Sequence, residues 1–317
     1  MATQFNPVIC MSYLAHTALW KVPRFPLANH GAEVLTIEHS IAADAPMTAA
    51  VLAALDVPTV LLANSVGDDT SGTEVQGWLQ RHGVTITANV RAGTVTPQVV
   101  VVADDHGSRT WFPYLPGVVD GLAALDLSPI KRASFVYIDC YQLIETPAVR
   151  AIQAARTAGV PLLVNLGGSP LSDAVATAVH DYPRLVVQTN VDDAAYQDAP
   201  QRAAELRSAT KAEWVVVTAG AGGAVAVNQA QWMIAPAFQA NARHTHCAGA
   251  AFSGGLLYGL LHGWPMSDSL SLGCASGALR CERAHREPMP SLGELHAFIG
   301  SRERIIVPAA EKQAHVL

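Results

Sequence analysis

The chain has 317 residues, and 20 Lys plus Arg against 26 Asp plus Glu leave a formal charge of −6. Half the residues are hydrophobic and 15% are charged, against roughly 25% in ordinary soluble domains. This balance excludes a disordered chain, which needs low hydrophobicity and high net charge, and it offers no basic footprint for nucleic acid.

Strand-like and helical segments alternate along the chain. Residues 8–11 form a short apolar run that predicts a strand. Residues 47–55 are an Ala/Leu-rich helix, followed by a strand at 59–63. Residues 73–82 have helical spacing and stop at Gly83, a good C-terminal signal. Runs at 99–103 and 110–113 flank Asp104-Asp105-His106-Gly107, which reads as a hairpin turn. Residues 135–138, 162–165, 185–188 and 214–218 are strands of the fully buried type. Helices are predicted between them, notably at 147–158 and 199–209, and a long apolar one with glycines at 252–262. This alternation argues for α/β organisation over residues 1–317, as one large domain or two modest ones, with a parallel sheet covered by helices on both faces. The apolar runs fall far short of the ~20 residues of a membrane helix. The first residues carry no basic stretch before a long apolar one, so no signal peptide is expected. Cys10, Cys140, Cys247, Cys274 and Cys281 are odd in number, scattered and free of any CxxC pair. Neither a zinc ribbon nor a disulfide framework is indicated, and a reduced, cytoplasmic setting is the expectation.

In open parallel sheets ligands sit beyond the carboxyl ends of the strands, so the residues just after each strand carry the information. Thr218-Ala219-Gly220-Ala221-Gly222-Gly223 follows one strand. Its glycines permit positive φ and close backbone approach; the plain alternative is a tight turn into the next strand, 224–227. It leads into a strand and lacks GxGxxG spacing, which argues against a dinucleotide fingerprint. Thr245-His246-Cys247-Ala248-Gly249-Ala250-Ala251-Phe252 precedes a helix. Free N–H groups and the positive dipole end make such an entry an anion site suited to phosphate. Close helix–sheet packing through small residues is the alternative.

This second segment, with His244 before it and Ser253-Gly254-Gly255-Leu256 after it, resembles the signature D-T-x-G-A-G-D-x-F of the ribokinase-like (PfkB) carbohydrate and nucleoside kinases. Further matches follow in order. Val66-Gly67-Asp68-Asp69-Thr70-Ser71-Gly72 resembles V-G-D-D-x-x-G, and residues 79–84 resemble L-x-x-x-G-V. Residues 217–223 are similar to the nucleotide loop T-x-G-x-x-G. Asn190-Val191-Asp192-Asp193 is similar to N-x-x-E, with Asp193 in place of Glu. Asp104-Asp105-His106-Gly107 with Arg109-Thr110 resembles the substrate-lid hairpin.

The resemblance implies a Rossmann-like three-layer α/β core with a small β-sheet lid, built from strands at about 10–40 and 95–115. It implies ATP and Mg²⁺ as cofactors and a small-molecule hydroxyl acceptor between lid and sheet. Thr218, Gly220, Gly223, Asn190 and Asp193 fall on the nucleotide side, with Asn190 and Asp193 toward the metal. Thr17, His16, Asp44, Asn165 and Asp68 fall on the acceptor side. Cys247, Ala248, Gly249 and Ala250 form the catalytic helix entry. Lids of this family often pair, so a homodimer is the expected assembly; neither a membrane nor a nucleic acid is an expected partner.

The match fails at the most consequential place. Ala250 occupies the position of the Asp that deprotonates the acceptor hydroxyl, and alanine accepts no proton. Other departures lie on the acceptor side. Ser12 and Thr17 fall on the Gly and Asp of G-x-x-x-x-D. Residues 42–47 lack the glycines and Asn of G-G-x-x-x-N. Asn165-Leu166-Gly167 replaces D-x-N, and His244 and Cys247 replace the first Asp and first Gly of the signature. An unusual acceptor is therefore expected. Three readings follow: an ATP-dependent kinase inactivated or impaired at Ala250, a natural non-catalytic nucleotide- or metabolite-binding member, or a repurposed enzyme using Cys247 or His246. His244, His246 and Cys247 also have metal-ligand chemistry, but a polar pocket wall with a small buried Cys explains them better. His16, His30 and His39 lie near the expected acceptor site, where one could replace the missing base.

Overall fold

Alternate residues of the first strand divide the core in two. In Val8–Met11, Val8 and Cys10 join one apolar cluster and Ile9 and Met11 join the other, and all four are buried. Burial on both faces is why this strand reads as an unbroken apolar run. The computed structural model describes residues 6–87, 90–105, 109–285 and 287–305.

The strands in chain order are β1 (Val8–Met11), β2 (Ala15–Lys21), β3 (Thr36–Ala42), β4 (Thr59–Leu62), β5 (Val66–Gly67), β6 (Thr85–Ile86), β7 (Val90–Arg91), β8 (Gln98–Ala103), β9 (Arg109–Tyr114), β10 (Phe135–Asp139), β11 (Leu162–Asn165), β12 (Leu185–Asn190), β13 (Trp214–Thr218), β14 (Ala224–Val227) and β15 (Trp232–Ala235). The helices are α1 (Asp44–Ala54), α2 (Thr70–Arg81), α3 (Val118–Ala123), α4 (Glu145–Ala158), α5 (Asp173–Val179), α6 (Ala199–Thr210), α7 (Ala248–Leu261), α8 (Met266–Glu282) and α9 (Leu292–Ser301).

The large sheet runs β15-β14-β13-β12-β11-β10-β1-β4-β6. Seven of its strands are parallel, as expected, and β14 and β15 are antiparallel, so the sheet is mixed. The reversal is made by the glycine turn after β13. A Cβ on Gly223, at φ 90°, would lie 2.2 Å from the Ala235 carbonyl oxygen, so glycine is required there.

A separate four-stranded sheet runs β3-β2-β8-β9. Trp111, Phe112 and Tyr114 on β9 and Ile37 on β3 are exposed on it. Strands β8 and β9 pair antiparallel, Ala103 opposite Arg109. Of the expected turn between them, His106 and Gly107 lie outside the described residues.

Helix α7 begins at Ala248, four residues before its sequence-expected start, because Cys247 at φ 61° provides a left-handed N-cap. The small residues that obscured this start also allow tight packing. A Cβ on Gly254 would lie 2.6 Å from the Val51 Cβ of α1, and one on Gly255 would lie 2.7 Å from the Leu272 carbonyl oxygen of α8. Helix α8 has no sequence-level counterpart above; its Ser and Gly residues dilute the periodic signal, although it is buried along most of its length. Helix α9 opens with a capping box, Ser291 to Glu294. Among the described residues no helix is long and apolar enough to cross a membrane.

Ala43, the N-cap of α1, sits at φ 74° and ψ 161°, a region otherwise populated by glycine. Strain there is of order 1–3 kcal/mol, against an entropic cost of about 0.5–1 kcal/mol for glycine. Ala43→Gly is therefore expected to stabilise the protein by about 1 kcal/mol, read as a higher urea midpoint at unchanged slope. A lower midpoint would show that this backbone is not strained.

Candidate active site

The carboxyl ends of β10 and β11 meet the N-terminus of α1. Asp139, the last residue of β10, is fully buried. Its Oδ2 accepts the backbone N–H groups of Asp44 (3.1 Å) and Ala45 (2.9 Å). Its Oδ1 accepts Nδ2 of Asn165, the last residue of β11, at 3.1 Å. The same Nδ2 lies 2.8 Å from Asp44 Oδ2 and 2.9 Å from the Tyr137 hydroxyl. Burial, then the Asp44 charge, pushes the Asp139 carboxyl up to about 7. Burial also raises Asp44, against hydrogen bonds from Tyr141 and Asn165 and the charge of Arg109 on β9. Two carboxyls so close cannot both ionise freely.

This pair changes the picture drawn from the sequence. Carboxylates are missing at Thr17, Asn165, His244 and Ala250, but Asp44 and Asp139 put acid groups at these strand ends. Asp139 was missed, although its signal was available: it directly follows a buried apolar strand, where ligand-facing residues are expected.

Of the other acceptor-side residues, Thr17 is closed off and His16 and Asp68 are otherwise engaged. Thr17 is fully buried with no partner for its hydroxyl among the described residues. His16 turns toward α2, with Nε2 2.7 Å from Glu74 Oε2. Asp68 is exposed and its Oδ1 accepts the Gly93 N–H at 3.2 Å. Asp69 caps α2 through the Gly72 N–H and also accepts from the Thr96 N–H and hydroxyl. The Gly67–Gly72 loop thus has a clear structural role.

On the other side, Thr218 ends β13 opposite Asn190 at the end of β12. Asp193 Oδ2 accepts the Ala221 N–H at 3.2 Å, and a Cβ on Gly220 would collide with its Oδ1. Asp193 therefore holds the glycine turn. Asn190 is exposed and lies instead against Gly168.

At the entry of α7, the first N–H groups have no intrahelical acceptor; that of Ala248 reaches Thr245 O only at 3.4 Å. Gly249 is exposed, and nothing lies within 4 Å of where its Cβ would stand. An exposed first turn at a helix N-terminus has the chemistry to hold an anion such as phosphate. Ala250, in the same turn, is fully buried, and its carbonyl accepts the Thr48 hydroxyl at 3.1 Å.

The neighbouring His/Cys group is organised around a guanidinium. Arg280 is fully buried, donates to Ala284 O and lies 2.9 Å from His285 Nδ1; its Nε has no partner among the described residues. His244 stacks on His285 at 3.8 Å and His246 meets it edge-on at 5.5 Å. Burial, then Arg280, pulls His244 down to about 4 and His246 down to about 3. Burial, then the two other histidines, pulls His285 down to about 2. A fixed cation disfavours a metal ion in its midst. Burial also pushes the Cys247 thiol up to about 12, opposite to the direction an activated nucleophile needs.

A family model described as pfkB family carbohydrate kinase matches residues 39–290. The chain belongs to the pfkB family. This pfkB member is 25% identical over 252 residues to a 5-dehydro-2-deoxygluconokinase of Shouchella clausii, covering 69% of this chain and 77% of the relative. It is 26% identical over 290 residues to an ATP-dependent ribose-1-phosphate kinase of Halopiger xanaduensis, covering 89% and 94%. Its fold matches Arabidopsis thaliana ribokinase complexed with ribose and ATP, with a TM-score of 0.73, 18% identity, and 93% and 99% of the two chains covered. The architecture of this pfkB protein is ribokinase-like, and its relatives are small-molecule kinases.

Proposed function

We propose that this pfkB-family chain is an ATP-dependent phosphotransferase acting on a hydroxyl of a sugar, nucleoside or related small molecule, with its transfer step impaired at Ala250. The observation that carries the reading is the α7 entry. Gly249 in its first turn is exposed, with open space where a side chain would stand, while the adjoining buried Ala250 contributes only a methyl group. Both relatives named above are kinases of sugar-derived acceptors, which supports a polyhydroxylated substrate.

Bound Mg-ATP would supply the phosphoryl group. The turn at Gly220 and Gly223, steadied by Asp193, would let backbone approach the nucleotide, with Thr218 as a further residue to hold it. Asn190 and Asp193 would hold Mg²⁺. The α7 N–H groups are placed to stabilise charge on the transferred group, which is the main catalytic demand of phosphoryl transfer. Asp44 is only half-buried and bonded to Asn165, so it can accept a hydrogen bond from an acceptor hydroxyl. Asp139 holds the backbone on which Asp44 stands.

ADP release, measured with Mg-ATP against sugars, sugar phosphates and nucleosides, tests the reading. Slow, acceptor-dependent turnover is expected. The second reading, a non-catalytic binding member, is favoured by the altered acceptor side and predicts nucleotide binding by calorimetry with no turnover. The raised Cys247 thiol and the depressed His246 imidazole weigh against the third.

A further inference from the structure

Three metal-binding atoms converge where the small sheet meets α2. His16 Nε2 on β2 lies 2.7 Å from Glu74 Oε2 on α2 and 3.1 Å from His39 Nδ1 on β3. His39 Nδ1 lies 3.9 Å from the same Glu74 oxygen. All three atoms fall within 4.8 Å of one another. Among the described residues this is the one group of three or more His, Cys, Asp and Glu donors that converges in this way.

The spacing has a chemical meaning. Zn–N and Zn–O bonds of about 2.0–2.2 Å at tetrahedral angles place neighbouring ligand atoms about 3.3–3.5 Å apart. The observed triangle of 2.7, 3.1 and 3.9 Å brackets that value. Without a cation, hydrogen bonds shared among the two imidazoles and the carboxylate hold these atoms together. Two imidazoles and one carboxylate are also a recurrent three-residue set for zinc, leaving a fourth position for water or an incoming ligand.

We infer that His16, His39 and Glu74 form a binding site for a divalent transition metal, with Zn²⁺ as the best match. Its place in the fold gives it a consequence. Strands β2 and β3 belong to the four-stranded sheet, whereas Val75, Trp78 and Leu79 of α2 are packed into the core beneath the large sheet. A metal held by all three residues ties the small sheet to the main body beside Thr17. His16 is buried, while His39 and Glu74 are about half exposed and leave an entry path.

The test uses the full chain, stripped with a chelator and titrated with Zn²⁺ by calorimetry in the presence of millimolar Mg²⁺. Expected is one Zn²⁺ per chain, and at a hundred-fold excess over Kd a rise in melting temperature of roughly 5 °C. His39→Ala and Glu74→Gln, both at partly exposed positions, should each weaken Zn²⁺ at least ~10-fold while keeping the far-ultraviolet dichroism of the parent. Absence of stoichiometric Zn²⁺ binding overturns the inference. So does binding that both variants leave unchanged, since the ion would then sit on other histidines. Neither readout depends on phosphoryl transfer, so the kinase reading stands or falls separately.

Discussion

Ala250→Asp is expected to raise the rate of phosphoryl transfer by ~10²–10⁴-fold, the usual worth of a positioned general base. The gain should appear in kcat, because the added carboxylate acts on the acceptor proton during transfer and adds nothing to the nucleotide site. Ala250→Asn is the matched control. It has the same shape and the same burial to accommodate, but no basic oxygen, so it should stay near the parent rate. Position 250 is fully buried, so folding of both variants must be checked by dichroism and melting. A folded Asp variant that binds ATP yet shows no gain with any sugar, sugar phosphate or nucleoside would sink the kinase reading and favour the non-catalytic one.

The Asp44–Asp139 pair makes stability depend on pH in an unusual direction. The folded Asp139 carboxyl lies at about 7, above the ~3.9 of an unfolded Asp. The native state therefore keeps a proton that the unfolded chain releases. This contribution is fully present below the unfolded value and is lost as pH rises from about 4 to 7. Asp44 is raised as well, so the titration belongs to the pair rather than to one residue. Across that window the loss should amount to roughly 2–4 kcal/mol. Asp139→Asn cannot titrate and should flatten most of the slope. Urea midpoints of parent and variant, taken every half unit between pH 4 and 8, decide the matter. Parallel profiles would show that Asp139 is already ionised in the native protein.

Much of this fold was legible because its signals are local. The parallel strands are apolar on both faces, as the alternating Val8/Cys10 and Ile9/Met11 memberships show, and such strands announce themselves as short runs. The antiparallel edge was legible only through the glycine segment, read as a tight turn into the strand at 224–227, because an apolar run looks the same whichever way it pairs. Helix α7 was misjudged at its start because Gly249 lowers helix propensity in the first turn. Helix α8 was missed because what makes it a helix is burial against α7, a tertiary effect. For the candidate site, the motif order singled out the α7 entry and the glycine turn. It did not show that Asp139 and Asn165 come together, since they are far apart in sequence and meet only through the parallel register of β10 and β11. Nor did it distinguish a capping Asp69 from a ligand-facing one, because both leave the same letters.

Arg280 carries a consequence for ionic strength. Its guanidinium is fully buried and acts electrostatically on Cys247, the residue that caps α7. Mobile ions screen exposed charges over about 10 Å at 0.1 M salt but reach buried ones far less. The attraction it exerts on an anion at that helix entry should therefore persist in concentrated salt, where a site built from surface lysines would lose most of its hold.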